Sequence, residues 1–351
     1  MPVRTPDYYA RFRCTASACT DNCCIGWEID IDASTLAKYN AVQGDFGARL
    51  RQNIAQSVTP HFILQGERCP FLNAQNLCDI FKKLGENSLC EICTQHPRFY
   101  EWFDDTTEIG LGLCCEAAAT LVFENEQPTA FVTKGESGAE NPLLSLRDAA
   151  MCLVQDRRFS IADRMAKLLA FGDAVQRSLE KGVLPTAPQI PDNLCRPQFS
   201  DAEVFAAFEA LLLFYETLEP IDAGWRPRLA QLRAQLPQLL AQRAAFDAFY
   251  APRSYEYEHF LVYFLYRYFM KAAADGDVLC KVQMAVASAA VVRLLDIECF
   301  VRTGDFTFGN RVSVAKSYSK EIEYSEKNLA ALAEAFFENS AFSVKNLLAL
   351  L

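Results

Sequence analysis

The chain has 351 residues, of which 51% are hydrophobic and 22% are charged, so it is long enough to bury a substantial core in two or three structural regions. Its formal net charge of −10 disfavours nucleic-acid binding, because phosphate contacts draw on clustered Lys and Arg that are not evident here. The expected partner is therefore a protein or a small molecule.

The N-terminus lacks the apolar core of a secretory signal, since Arg4, Asp7, Arg11 and Arg13 interrupt it. We therefore expect a cytoplasmic protein. The longest candidate for a membrane span, residues 278–301, contains four charged side chains. They leave an uncharged run too short to cross a bilayer, which needs about 20 apolar residues. We expect a buried helix there and no membrane insertion.

Cysteines are the most informative feature of the sequence. Ten of the 14 lie in the first 115 residues: Cys14, Cys19, Cys23, Cys24, Cys69, Cys78, Cys90, Cys93, Cys114 and Cys115. In a chain without a signal peptide, clustered cysteines are more often metal ligands than disulfides, because the cytosol keeps thiols reduced. The other four, Cys152, Cys195, Cys280 and Cys299, are predicted to be small buried hydrophobes.

The kind of metal is less constrained, because thiolate-rich sites suit both zinc and iron–sulfur clusters. Only His61 and His96 lie near the cysteines, and an all-cysteine zinc site needs neither. The cysteines outnumber the four ligands of one tetrahedral site, which fits either two zinc sites or one cluster with spare cysteines. We favour an iron–sulfur cluster, with structural zinc and redox-active thiols as the alternatives.

The predicted elements begin with loops and short extended pieces over residues 1–33, including an alternating segment at 27–32. Ser34 is predicted to cap a helix that runs to about residue 56. Residues 60–116 are predicted to be loops organised by the metal, because their apolar residues are too interrupted to form a core unaided. Residues 125–143 suggest an irregular connection or a short hairpin.

From residue 144 onward, apolar residues recur at helical spacing, with a Pro-rich break at 184–197. Ser200 and Glu203 have the spacing of a capping box. Further helices are predicted at 201–218, 226–250, 255–274, 278–302, 325–338 and 343–351. The predicted fold class is mainly α, with a Cys-rich metal-organised region (1–120), a connecting segment with helices (121–197) and a helical bundle (198–351).

Several motifs extend along nearly the whole chain. The N-terminal ones are Pro6-x-Tyr8-Tyr9-x2-Phe12-x-Cys14, Cys19-x3-Cys23-Cys24-x-Gly26-Trp27, Cys69-Pro70-Phe71-Leu72, Leu89-Cys90-x2-Cys93-x2-His96-Pro97-Arg98 and Cys114-Cys115-Glu116. The C-terminal ones are Tyr255-Glu256-x2-His259-Phe260-Leu261-Val262 and Lys320-Glu321-Ile322-Glu323-Tyr324-Ser325. Together they resemble the flagellin lysine-N-methylase (FliB-like) family. The cysteine clusters alone are also similar to a wider zinc- or iron-chelating CxxCxxCC group, so the C-terminal motifs narrow the choice.

The resemblance implies a protein-lysine N-methyltransferase that transfers a methyl group from S-adenosylmethionine to flagellin and carries an iron–sulfur cluster, expected as 4Fe–4S. The predicted metal ligands are Cys19, Cys23, Cys24, Cys69, Cys78, Cys90, Cys93 and Cys114. The family pattern at the last cluster is Ser-Cys-Pro-Glu. Cys114 therefore matches the family cysteine, and Cys115 occupies the position of the proline.

Methylation of a lysine requires a neutral amine and a near in-line approach of its nitrogen to the methyl carbon. A base or a desolvating pocket must therefore lower the pKa of the lysine. The candidate catalytic residues are Glu116, Tyr255, Glu256, His259 and Glu323, with Tyr257 and Glu321 as further possibilities. For each of them the alternative role is a helix-surface charge or an aromatic at the edge of the core.

A common methyltransferase donor site uses a Gly-rich turn between a strand and a helix. The sequence has only weak imitations, at Gly135-Glu136-Ser137-Gly138 and Gly110-x-Gly112. We therefore predict no doubly wound methyltransferase sheet, and the metal centre is then a candidate for holding the donor. The Cys19-x3-Cys23-Cys24 spacing departs from the Cys-x3-Cys-x2-Cys loop of radical enzymes, which favours a polar transfer.

The alternative to an enzyme is a non-enzymatic zinc- or iron-binding protein whose helical domain docks a partner. The sequence predicts neither the donor-binding residues nor the oligomeric state.

Overall fold

A computed structural model of the protein describes residues 2–26, 28–135, 141–183 and 186–351. Over these residues the chain is mainly helical, as predicted, with 17 α-helices and six short strands. Trp27, the glycine-containing segment 136–138 and the start of the predicted break, residues 184–185, lie outside the described residues.

The strands are β1 (Val3–Pro6), β2 (Ile54–Ala55), β3 (His61–Phe62), β4 (Arg98–Phe103), β5 (Thr106–Leu111) and β6 (Phe131–Lys134). Four of them form a sheet in the order β4-β5-β1-β6, with β1 parallel to β5 and the other neighbours antiparallel. The short β2 and β3 pair with each other. No doubly wound parallel sheet occurs in the described residues, which confirms that prediction.

The β4–β5 hairpin lies in a region predicted to be loop. Its first strand is rich in aromatic residues and its second begins with two threonines, both typical of strands. Asp104 has a φ of +49°, which Asp tolerates better than most residues, and forms the turn. The β signal was therefore present in the sequence, but the surrounding cysteines and prolines masked it.

The N-terminal helices are α1 (Ala33–Ala41), α2 (Gly44–Gln52), α3 (Asp79–Leu84), α4 (Glu91–Gln95) and α5 (Glu116–Phe123). The predicted single helix from Ser34 to residue 56 is wrong. Asp32 is the N-cap, since its side chain accepts from the Thr35 amide. The chain leaves the helix at Val42, and Gly44, with a φ of +75°, allows it to turn into α2.

The remaining helices are α6 (Pro142–Gln155), α7 (Ile161–Leu179), α8 (Asp201–Thr217), α9 (Trp225–Ala234), α10 (Leu236–Ala241), α11 (Arg243–Tyr250), α12 (Tyr255–Tyr268), α13 (Ala272–Asp275), α14 (Val278–Thr303), α15 (Phe308–Glu323), α16 (Glu326–Glu338) and α17 (Val344–Ala349). The capping box at Ser200 and Glu203 is confirmed. The predicted helix 226–250 is instead three helices, because Pro237 begins a new one.

Helix α15 was not predicted. Its capping box uses Thr307 and Asn310 in place of the usual Glu or Gln partner. Its body also carries β-branched and serine residues, which lower helix propensity. Tertiary packing against α14 and α5 compensates for this weak local preference.

Two hydrophobic clusters form the interior. The larger joins the sheet and the C-terminal helices, and the smaller lies within the Cys-rich region, where Tyr39, Phe62 and Phe71 pack together. That the metal organises this region stays a prediction, but its apolar residues do meet in a small core of their own. Its apolar residues are scattered in sequence, but α1, α2, β3 and α3 bring them together.

Helix α14 runs through the larger cluster. It is long and apolar enough to cross a membrane, so the argument that its charges leave too short a run was too strict. However, 89% of its most apolar window is buried inside the protein, which confirms the prediction of a buried helix.

Gly112 lies where the turn after β5 meets the end of α15. A Cβ at this position would overlap the hydroxyl of Tyr324 and lie 3.2 Å from the Pro97 carbonyl oxygen. We expect Gly112→Ala to lower the free energy of unfolding by about 2 kcal/mol, because the added methyl group would displace Tyr324 or the backbone at Pro97. Urea unfolding monitored by circular dichroism measures this change.

The matched control is Gly309→Ala in α15, where the nearest atom to an added Cβ is Thr307 Oγ1 at 3.7 Å. This variant should be neutral or slightly stabilising. Equal stability of both variants would contradict the tight contact at Gly112.

Candidate functional site

Six of the predicted metal ligands converge beside the smaller hydrophobic cluster. They are Cys23, Cys24, Cys69, Cys78, Cys90 and Cys93. Backbone bonds bring the separate stretches together, since the Cys69 amide donates to the Cys24 carbonyl at 2.8 Å and Cys78 pairs with Leu72 in a β-bridge. Cys78 and Cys90 are the N-caps of α3 and α4, so their side chains lie at helix starts.

The thiols form two close pairs. The Cys24 thiol donates to the sulfur of Cys23, which lowers the pKa of Cys23 to about 7. In the same way, the Cys93 thiol donates to Cys90 and lowers the pKa of Cys90. A thiolate at one member of each pair is therefore favoured, and thiolate is the form that binds metal.

The other two thiols, Cys69 and Cys78, lie between these pairs. Burial raises the pKa of Cys69 to about 11 and also raises the pKa of Cys78. The charges of both residues act on the pKa of Cys24, and Cys69 also acts on Cys93. Four sulfur-bearing stretches thus share one partly buried space, in which several thiolates together would repel each other without a cation.

Tyr39 of α1 lies against this space. Its hydroxyl donates to the Ser88 carbonyl at 2.7 Å and lies 3.5 Å from Cys90 Sγ, while its ring stacks on Phe62. The sequence analysis missed this residue, because a tyrosine within an amphipathic helix is usually only part of the core. Tyr39 connects the cysteines directly to the smaller hydrophobic cluster.

The sulfur atoms of the six cysteines do not form a ready-made tetrahedral set in the described residues. Zinc–sulfur bonds of about 2.3 Å place tetrahedral sulfurs about 3.8 Å apart. Within the described part of the chain, one group of three ligand atoms lies mutually within 4.8 Å: the surface residues Glu28, Asp30 and His61. No three cysteine sulfurs in that part are so close. Thiolate-rich sites of this kind bind both zinc and iron–sulfur clusters, so the residues present fit either metal type.

Cys19 and Cys114, also predicted as ligands, lie apart from the six. Cys19 Sγ lies 3.8 Å from Glu116 Oε2. Cys114 is buried, which raises its pKa, and its thiol contacts Tyr324. Cys115 stands between the groups, since the charges of both Cys19 and Cys23 act on its pKa. Of the four scattered cysteines, Cys280 and Cys299 are buried as predicted, whereas Cys152 and Cys195 are exposed, which corrects that prediction.

Glu116, at the start of α5, connects the Cys-rich loop to the helical part. Its Oε2 accepts from the Thr20 amide at 3.0 Å and from the Thr20 hydroxyl, and it lies 3.9 Å from Lys316 Nζ. Lys316 in α15 also pairs with Asp21 at 3.5 Å. These contacts give Glu116 a role in holding the loop against α15.

Glu323, at the end of α15, is buried among aromatic residues. One of its oxygens, Oε2, accepts from Tyr263 Oη at 2.8 Å, Tyr268 Oη at 2.9 Å and Arg267 Nη1 at 2.9 Å. The other oxygen, Oε1, is buried and has no hydrogen-bond partner among the described residues. This group of polar and aromatic residues lies close to Cys114, since the charge of Glu323 raises the pKa of the Cys114 thiol.

Arg267 is a second residue that the sequence analysis missed. Its guanidinium carbon lies 4.8 Å from the centre of the Phe99 ring, 5.4 Å from that of Tyr268 and 5.5 Å from that of Tyr324. The signal for it was a single arginine in a helix whose second half, residues 260–268, is otherwise apolar and aromatic. The site can therefore hold a cation between aromatic rings beside a carboxylate.

His259 and Tyr255 lie elsewhere, near the loop before β6. The His259 ring is bonded at both nitrogens, with Nδ1 2.9 Å from Thr129 Oγ1 and Nε2 2.8 Å from the Asn125 carbonyl oxygen. In the neutral ring, Nε2–H donates to the carbonyl and Nδ1 accepts from the hydroxyl. Tyr255 packs edge-on against His259. Neither nitrogen of His259 is free to accept a proton from a substrate.

Glu256 belongs to a further buried polar group. It pairs with Arg253 at 2.8 Å and accepts from the hydroxyl of Tyr250. Nearby, Arg311 pairs with Asp296 at 2.7 Å, and both side chains are fully buried. The five predicted catalytic residues thus occupy four separate places, and Glu116 and Glu323 are the two that lie next to cysteines.

Cysteine variants test the assignment of the metal centre. We expect Cys69→Ser and Cys90→Ser to reduce bound iron in anaerobically purified protein to less than a third, because each removes a thiolate from the converging set. Elemental analysis together with an assay for acid-labile sulfide measures the change.

Cys114→Ser and Cys152→Ser are the matched controls, since Cys114 contacts Tyr324 and Cys152 is exposed on α6. Both should keep the iron content of the wild type. Loss of iron in Cys114→Ser, with iron retained in Cys69→Ser, would contradict the assignment.

His259 gives a prediction for the pH dependence of stability. Burial lowers the pKa of His259 below its usual value near 6.5, so the unfolded chain binds the proton more readily than the folded one. The contribution of this residue is therefore present above pH 6.5 and is lost as the pH falls below it. Between pH 7.5 and 5.5, urea unfolding should show a smaller loss of stability for His259→Gln than for the wild type. Equal losses would contradict the burial effect.

Comparison with known proteins gives one family match. Residues 147–350, more than half of the chain, match the FliB lysine N-methylase C-terminal domain. This segment includes α15 with Glu323, and α12 with Arg267 and His259. No solved structure matches the chain.

Curated relatives match over 142 residues, which is 38% of this chain. A lysine-N-methylase of Salmonella typhimurium is 28% identical, and the flagellar biosynthetic protein FliU of Salmonella muenchen is 27% identical. A lysine-N-methylase of Salmonella choleraesuis is also 27% identical. The matched segment spans about a third of the length of the two lysine-N-methylases (35%) and 84% of FliU.

The family match extends through the helical part of the fold, from residue 147 within α6 to residue 350, just past the end of α17. On this basis, the chain belongs to the family defined by the FliB lysine N-methylase C-terminal domain.

Proposed function

We propose that this protein is a lysine N-methyltransferase that takes its methyl group from S-adenosylmethionine, acts on flagellin and carries an iron–sulfur cluster. The observation that carries the proposal is the family match over residues 147–350, together with relatives named lysine-N-methylase. The name of the FliU relative supports a flagellar context. Flagellin as the substrate follows from the motif resemblance.

The six converging cysteines support the cluster. They supply more than the four thiolates that a 4Fe–4S cluster needs. When bound, such a cluster neutralises the thiolates and can offer an open iron position to an oxygen or nitrogen ligand. The proposed ligands of the cluster are drawn from the six converging cysteines near Tyr39. Of these six, Cys69 and Cys90 are buried.

Among the predicted catalytic residues, Glu323 has the environment best suited to an amine substrate. Its buried Oε1, which has no hydrogen-bond partner among the described residues, offers an acceptor for an ammonium group. Burial would also favour the neutral form of a bound lysine, which is the form that attacks the methyl carbon. We assign Glu323 to holding the acceptor amine.

The variant Glu323→Gln tests this role. We expect at least a tenfold loss of methyl transfer with unchanged iron content, because the amide keeps the shape of the side chain but removes its charge. Initial rates at several flagellin concentrations separate a change in kcat from a change in KM.

Glu321→Gln is the matched control on the same helix. Both oxygens of Glu321 accept from backbone amides, at Ile221 and Asp222, each at 2.8 Å. Its substitution should lower stability but leave the rate of the folded protein within about twofold. Equal rates for Glu323→Gln and the wild type would contradict the assignment.

The activity itself is tested by incubating anaerobically purified protein with S-adenosylmethionine labelled on its methyl group and with flagellin. Label on flagellin lysines, located by mass spectrometry, is the expected result, and heat-denatured protein is the control. Protein that contains zinc without sulfide and transfers no label would contradict the proposal and would favour a non-enzymatic metal-binding module.

A further inference from the structure

Strand β4 lies at one end of the four-stranded sheet, with β5 as its neighbour on the inner side. The Gly112 amide donates to the Pro97 carbonyl oxygen at 2.7 Å, which fixes the phase of the β4–β5 ladder. Because hydrogen-bonded and non-hydrogen-bonded pairs alternate along an antiparallel ladder, three residues of β4 turn their N–H and C=O groups away from β5. These residues are Arg98, Tyr100 and Trp102. Within the ranges that the structure describes, none of these six groups is bonded to another backbone group.

The surface of this free edge is aromatic and acidic. Trp102 is 68% exposed and stacks on Tyr100, with the ring centres 5.9 Å apart and the ring planes 12° apart. The turn that follows carries the exposed side chains of Asp104 and Asp105. A cation is attracted both to the faces of aromatic rings and to carboxylates. The edge therefore suits an extended chain that carries basic side chains.

The opposite face of β4 packs on the group that we propose to hold the acceptor amine. The Phe99 ring centre lies 4.8 Å from the Arg267 guanidinium carbon and 6.1 Å from the Tyr263 ring centre. Arg267 in turn donates to Glu323 at 2.9 Å. A strand added at the free edge would lie about 4.8 Å from β4, with alternate side chains on the two faces of the sheet. Such a strand would run beside the proposed amine site.

We propose that the free edge of β4 binds an extended, lysine-bearing segment of the protein substrate by strand addition. The outward N–H and C=O groups of β4 pair with the backbone of the segment, and the rings of Tyr100 and Trp102 contact its basic side chains. This inference rests on the proposed function for the identity of the substrate. A second copy of this chain is a poorer occupant, because each copy carries a net charge of −10.

The variant Trp102→Pro tests the docking edge. It removes an outward N–H and the exposed ring, but it leaves the bonds to β5 in place, because the ladder does not use this N–H. We expect the KM for flagellin to rise at least tenfold while kcat changes less than twofold, since substrate binding is lost and the chemical step is untouched. Initial rates of methyl transfer over a range of flagellin concentrations measure both, and circular dichroism checks the fold.

The matched control is Thr133→Pro in β6, the strand at the opposite end of the sheet. The Ala130 carbonyl accepts from the Asp7 amide at 2.9 Å, so by the same alternation the N–H of Thr133 points away from β1. This variant should leave the KM within twofold of the wild type. Trp102→Thr keeps the outward N–H and loses the ring, and should raise the KM by an intermediate factor.

Hydrogen exchange of the wild-type protein needs neither a variant nor turnover. It is measured at single-residue resolution with and without saturating flagellin. Exchange at the outward amides of Arg98, Tyr100 and Trp102 should slow at least fivefold when flagellin binds. The amides of Glu101 and Phe103, which face β5, should change far less.

The outcomes separate the two proposals. Methyl transfer to flagellin with no protection of the outward amides and an unchanged KM in Trp102→Pro would overturn the docking edge and leave the enzyme function standing. Protection of these amides without methyl transfer would support the docking edge and contradict the proposed activity. Absence of both protection and transfer would overturn both proposals.

Sedimentation velocity of the protein alone tests the other occupant. The proposal predicts the same monomeric species for the wild type and for Trp102→Pro. A wild-type dimer that Trp102→Pro dissociates, with an unchanged KM for flagellin, would assign the edge to a second copy of the chain and overturn the proposal.

Discussion

The mutual repulsion of closely spaced thiolates is the constraint on which the Cys-rich region depends. Cys24, Cys69 and Cys93 come from stretches far apart in sequence, yet the charge of each sulfur affects the pKa of another. The Cys69–Cys24 backbone bond and the helix starts at Cys78 and Cys90 fix this arrangement. Burial and the neighbouring sulfurs raise the pKa of Cys24, Cys69 and Cys93, so several thiolates would form together there only with a bound cation, which the proposed cluster would supply.

The interface between this region and the helical domain is polar as well as apolar. Lys316 contacts both Asp21 and Glu116, while Arg267 and Glu323 lie behind the turn that contains Cys114. A buried ion pair contributes little net stability, but removal of one partner leaves a costly unpaired charge. These contacts therefore make the position of the Cys-rich loop dependent on the helical domain, and they place the amine site that we propose next to Cys114, which lies apart from the six converging cysteines.

The sequence predicted those features that depend on local patterns. The mainly helical class, the capping box at Ser200 and the burial of α14 all follow from periodicity or from short motifs. Helix α15 was missed because β-branched and serine residues lower its propensity, and its stability comes from neighbours that no local pattern reveals. The β4–β5 hairpin was missed because Asp104 forms a turn in a region that the cysteines made resemble loop.

The site was predictable to a similar extent. Six of eight predicted ligands converge, because spacing within each motif reflects local geometry. Cys19 and Cys114 lie apart from them. The positions of these two sulfurs depend on the packing of α15 and on the contact with Tyr324, which no local motif reveals.

X-ray absorption at the iron edge of the anaerobically purified protein tests the account most directly. The account predicts iron surrounded by sulfur together with scattering from neighbouring iron atoms, as in a polynuclear cluster. A folded protein that contains no iron, or that holds only isolated tetrahedral zinc, would contradict it.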